Sequence, residues 1–64
     1  MSDYPEREIG IVTLFLKHRP ASSAFEIAEG TGIERIEVFY CLKVLSERNI
    51  VVQISTSPER WVLK

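Results

Sequence analysis

The apolar residues of this chain fall into three helically spaced blocks, followed by a short β-branched run. Ser23-Ala24-Phe25-Glu26 opens the second block with capping-box spacing: a hydroxyl at the start and a carboxylate three residues on, each able to satisfy a free N–H of a first helical turn. Phe25, Ile27, Ala28 and Ile33 are the apolar contacts expected of this short helix. Gly30-Thr31-Gly32 is expected to stop it, because glycine enters left-handed backbone conformations cheaply. Val38, Cys41, Leu42 and Leu45 then recur at i, i+3, i+4 and i+7, which predicts a longer third helix from about Glu34, closed by Asn49.

The first block predicts a helix with Asp3 as N-cap, Pro5 in the first turn and Glu6 completing a second capping box. It runs to about His18, with Pro20 blocking its continuation. Ile9, Ile11, Val12, Leu14, Phe15 and Leu16 spread over roughly 220° of this helix, wider than one face. Ile9, Val12, Phe15 and Leu16 can face a core, whereas Leu14 lies off that face and Ile11 sits at its edge. Two readings stay open: a well-covered core helix, or a homodimer contact through Ile11 and Leu14. Pro20-Ala21-Ser22 is a short linker able to add one strand residue to a small sheet.

Ile50-Val51-Val52-Gln53-Ile54 reads as a strand, Thr56-Ser57-Pro58-Glu59 as a turn, and Arg60-Trp61-Val62-Leu63 as the return strand. Trp61 and Leu63 share one face, and Trp61 is expected to be largely buried over the core. The predicted fold class is α+β, mostly α: a winged helix of three helices plus a C-terminal two-stranded β-hairpin, in one domain spanning 1–64.

Sixty-four residues make a small domain, whose core must be economical or shared with a partner. No apolar run approaches the roughly 20 residues of a membrane helix. The acidic, polar start from Met1 to Glu6 does not resemble a signal peptide. One cysteine cannot form an internal disulfide, which fits a reducing, cytoplasmic setting. Cys41 lies on the apolar stripe and reads as packing. His18 has no second ligand at metal spacing, so no metal site is expected. A Gly-rich phosphate loop, a histidine dyad and Cys–His spacing are all missing from the sequence, so neither an enzyme nor a cofactor is expected.

The net charge of −1 is unevenly spread: residues 1–34 carry six acids and three bases, residues 35–64 three acids and five bases. Positive charge thus leans toward the third helix and hairpin. The outward stripe of that helix holds Ile36, Phe39, Tyr40, Lys43 and Glu47, with Arg35 at its N-terminal flank. A short helix, a glycine turn and a longer helix form a helix-turn-helix, a unit that enters the major groove of DNA. On that reading Arg35, Ile36, Phe39, Tyr40 and Lys43 face double-stranded DNA. Arg60 and Lys64 flank the wing strand, able to touch phosphates or to stand as solvated charges. The alternative is a protein-interaction module, in which Ile36, Phe39 and Tyr40 dock on a partner in transcription or on a second copy.

Phe25-Glu26-Ile27-Ala28-Glu29 through Gly32-Ile33, then Val38, Leu42, Leu45, Asn49 and Ile50, resembles the core of winged helix-turn-helix transcription regulators. Glu26-Ile27-Ala28-Glu29, Tyr40 and the ending Trp61-Val62-Leu63-Lys64 look most like the small fimbrial-operon regulators of bacteria. That resemblance implies a short protein acting on promoter DNA, often beside a larger architectural regulator. Phe39 departs from it, standing where that group tends to place a polar or basic reader. Ser57-Pro58-Glu59-Arg60-Trp61 is also similar to the proline-and-tryptophan wing of left-handed-DNA-binding domains. Those domains need an asparagine and a tyrosine on the third helix, where this chain has Phe39 and Lys43, and this departure favours the major-groove reading.

Overall fold

A computed structural model describes residues 5–64. The elements run α1 (Glu6–His18), α2 (Ala24–Thr31), α3 (Arg35–Glu47), β1 (Val51–Thr56) and β2 (Glu59–Leu63). The proposed N-cap Asp3 lies outside the described residues. Pro5 itself takes the N-cap position, without a side-chain bond, and its carbonyl accepts from the Ile9 N–H at 2.9 Å. Glu6 and Glu8 in the first turn of α1, and Lys17 and His18 in the last, suit the helix dipole. Among the described residues no helix is long and apolar enough to cross a membrane.

The α2 capping box forms as the sequence implies. The Glu26 N–H donates to Ser23 Oγ at 3.1 Å, and the Ser23 N–H donates to Glu26 Oε1 at 2.9 Å. The glycine turn is divided differently. Gly32 is the left-handed C-cap, with φ of 79°, but Gly30 lies inside α2. Its role is close approach: a Cβ there would stand 2.2 Å from Phe15 Cε2 on α1. At the end of α3, Asn49 takes a left-handed conformation, φ 64°, which asparagine tolerates better than most residues.

The core is built from one stripe of each helix and the first strand residue. Ile9, Val12 and Leu16 meet Ala24 and Ile27, the α3 residues Val38, Cys41, Leu42, Val44 and Leu45, and Val51. Full burial of each larger aliphatic side chain contributes about 1.5–3 kcal/mol. Phe15, expected in the core, packs against it only in part, as do Ile33, Trp61 and Leu63. Trp61 packs against the edge of the core with most of its surface covered, as the sequence implies, and its indole Nε1 is buried. Phe25 corrects the sequence reading most. It is 56% exposed, because Ala24 and Ile27 take the inward face of this two-turn helix and leave Phe25 outside.

β1 and β2 pair antiparallel, with Val51 opposite Leu63, Val52 opposite Val62, Gln53 opposite Trp61, and Thr56 opposite Glu59. A register shift between Gln53 and Ser55 leaves Ile54 as a bulge. The first strand starts at Val51 and reaches Thr56, one to two residues later at each end than the pattern suggested. The Lys64 N–H donates to the Ile50 carbonyl at 2.9 Å, so the hairpin closes directly against the end of α3. Ser22 pairs with Trp61, giving the linker the single strand residue its sequence allowed.

Candidate nucleic-acid interface

With Val38, Cys41, Leu42 and Leu45 turned inward, α3 presents its opposite face to solvent. Arg35, Ile36, Phe39, Tyr40 and Lys43 all lie on that exposed side. Ile36 is 77% exposed, Phe39 47% and Tyr40 42%. Three large apolar or aromatic side chains thus stand exposed together on one face of α3. The Arg35 guanidinium lies over the Phe25 ring, 5.9 Å from its centroid. A cation–π pair of this kind orients the charge at the N-terminal end of the face. The contact that Phe25 makes here is thus with Arg35, on the outside of the domain.

The wing tip is the Ser57–Pro58 turn, held by the Ser55 hydroxyl donating to the Pro58 carbonyl at 2.8 Å. The three residues after it turn inward. The Ala24 N–H donates to Glu59 Oε1 at 2.5 Å, and Arg60 Nη1 donates to the Ala21 carbonyl at 2.8 Å. The Trp61 N–H donates to the Ser22 carbonyl at 3.0 Å. Arg60 Nη1 also stands 3.8 Å from Glu26 Oε1. Hydrogen bonding from the Ser23 backbone, then from its side chain, outweighs burial and with the charges of Arg60 and Arg19 holds the Glu26 carboxyl below its ordinary pKa. Lys64 Nζ donates to Asn49 Oδ1 at 2.6 Å, closing the other side of the hairpin base.

The expected site residues thus divide. Arg35, Ile36, Phe39, Tyr40 and Lys43 come together on α3. Arg60 is engaged with the linker, and Ile11 and Leu14 sit on α1, with Leu14 56% exposed. Glu59 was not singled out by sequence reasoning: a lone acid beside a turn carries no signal that it will cap a helix 35 residues earlier. Chemically, the α3 face offers two cations and broad apolar surface. Of the asparagine, glutamine, serine and threonine that usually read base edges it holds only Ser46, seven residues beyond Phe39. Among the described residues, no cluster of three or more histidines, cysteines or acids could hold a metal ion.

No family model matches the sequence, and no curated protein matches it. A solved structure does: the Zα domain of Carassius auratus PKZ in complex with Z-DNA. It is 25% identical, with a TM-score of 0.86 over 92% of this chain and 95% of that one. This chain has the winged-helix fold. The fold likeness reaches the winged helix-turn-helix class and lends nothing to the fimbrial subgroup. The wing similarity over residues 57–61, which Phe39 and Lys43 weighed against, is now accompanied by a likeness along nearly the whole chain.

Proposed function

We propose that this chain is a DNA-binding winged-helix domain, a binding module rather than an enzyme. It docks on duplex DNA with the exposed face of α3 and the wing tip. The observation that carries this reading is the likeness, at TM-score 0.86 over 92% of the chain, to a domain solved on DNA. The exposed α3 face supports it. Arg35 and Lys43 supply the charge for phosphate contacts, and Ile36, Phe39 and Tyr40 supply surface to pack against sugar and base edges. With so few base-reading side chains, recognition rests on backbone and shape more than on sequence. A DNA-binding role is in keeping with the cytoplasm or nucleus, and transcription regulation is the role that the resemblance to winged helix-turn-helix regulators implies.

A second copy is the partner we place against Ile11 and Leu14. The α3 face remains open in that arrangement, whereas a protein docked on Ile36, Phe39 and Tyr40 would compete with DNA.

Binding is tested by fluorescence anisotropy with a random right-handed duplex and with an alternating cytosine–guanine duplex held left-handed. Salt-sensitive binding to at least one is expected, and Arg35→Ala and Lys43→Ala should each lower the salt slope by about one. Preference for the right-handed duplex supports α3 in the major groove. Preference for the left-handed duplex supports the mode of the Carassius domain. Failure to bind either duplex at low salt overturns the reading.

A further inference from the structure

Three successive wing residues, Glu59, Arg60 and Trp61, reach the stretch from Ala21 to Glu26, the end of the linker and the first turn of α2. Glu59 accepts from the Ala24 N–H, where the N-terminal end of the helix dipole favours a carboxylate. Arg60 donates to the carbonyl of Ala21, a residue held at φ 63°, a left-handed conformation that alanine rarely adopts. Trp61 forms the bridge to Ser22. The Arg60 guanidinium also lies beside Glu26, whose carboxylate belongs to the α2 capping box. Two carboxylates, Glu59 and Glu26, therefore stand at the start of α2, and Arg60 lies beside one of them while reaching the linker with the same nitrogen.

We infer that Arg60 is a positioning residue: it clasps the wing to the linker before α2 and so fixes where the wing tip stands relative to α3, rather than pairing with a DNA phosphate. Besides the packing of Val51, Trp61 and Leu63 on the core, the hairpin has two polar anchorages. One is its base at the end of α3, through Ile50, Asn49 and Lys64. The other is the clasp at Ala21–Glu26. The base and the core packing hold the strand ends near α3, and the clasp adds a restraint on the swing of the part of the hairpin nearer the tip. Because β1 and β2 share one ladder, holding β2 holds the whole wing. Glu59 belongs to the same device. Its position beside the wing tip would set an acid against phosphate, and capping Ala24 turns it away.

The inference rests on the DNA-binding reading for its consequence, but the clasp itself is testable without DNA. In the free protein, hydrogen exchange of the Trp61 amide, which donates to Ser22, is compared between wild type and Arg60→Ala. Faster exchange at Trp61 with α3 amides unchanged is expected; unchanged exchange at Trp61 overturns the clasp. On duplex DNA, Arg60→Ala should weaken affinity roughly three- to tenfold with the slope of log K against log salt unchanged. A slope reduced by about one would mean a lost phosphate contact and overturn the inference. Arg60→Lys, a milder change, separates the roles again. A phosphate contact tolerates lysine as a point charge, whereas a clasp built on the guanidinium's reach and planar fork does not. Retained wild-type affinity in Arg60→Lys therefore counts against the clasp, and weaker binding at an unchanged slope supports it. If wild type binds no duplex, the functional reading fails while the exchange experiment still decides the clasp.

Discussion

Gly30 on α2 lies directly beneath the ring of Phe15 on α1, so close that an added Cβ would stand 2.2 Å from Phe15 Cε2 and 2.9 Å from Cζ. The glycine sits inside a helix, where alanine would ordinarily be favoured by about 1 kcal/mol. The fold forgoes that propensity to bring α1 and α2 together. Gly30→Ala should therefore destabilise: overpacking of about 1–3 kcal/mol exceeds the propensity gain. A fall in the urea midpoint checks this. In a Phe15→Leu background the same substitution should become neutral or stabilising, a coupling read by the double-mutant cycle.

Glu26 links stability to pH. Its folded pKa lies below the ordinary value, first through the Ser23 backbone N–H. A carboxyl lowered on folding contributes stability that is fully present above its unfolded pKa. That contribution is lost as pH falls through the folded pKa. The stability difference between wild type and Glu26→Gln should thus be constant near neutrality and close on acidification. Denaturant titrations at a series of pH values measure it, and a gap that widens toward acid would contradict the assignment.

Cys41 is inert in the folded protein. Burial pushes its thiol pKa up, and Glu37 and Glu8 add to the shift. A thiol-specific reagent should label it only as fast as the protein opens, with labelling accelerated by denaturant. Cys41→Ser, which sets a hydroxyl in the same apolar site, should cost about 1–3 kcal/mol.

Self-association through α1 is tested by sedimentation equilibrium on wild type, Leu14→Glu and Phe39→Glu. A weak homodimer abolished by Leu14→Glu and kept by Phe39→Glu is expected. A wild type that stays monomeric at high micromolar concentration contradicts the dimer, and dissociation by Phe39→Glu alone moves the interface to α3.

Much of this fold was legible in the sequence because periodicity and capping act locally. Val38, Cys41, Leu42 and Leu45 could face only one way, and Ser23 with Glu26 could only begin a helix. The misreadings arose where a distant residue decided the outcome. Phe25 reads in the sequence as one of the apolar contacts of α2, but which face of α2 turns inward depends on α1 and α3. Gly30 reads as a helix stop in the sequence because the ring it accommodates lies on another helix. In the site, the α3 face followed directly from the inward stripe. The engagement of Glu59 and Arg60 did not, since both bond across more than 30 residues to backbone atoms that a sequence pattern does not mark.

The proposed docking of the α3 face and the wing tip on DNA is tested most directly by an NMR titration of the isotopically labelled protein with duplex DNA at low salt, repeated at higher salt. The expected result is perturbation concentrated from Arg35 to Lys43 and at the Ser57–Pro58 turn, reversed by salt, with the amides of Ile11 and Leu14 unmoved. No salt-sensitive perturbation with either a right-handed or a left-handed duplex, or perturbation centred on α1, would contradict it.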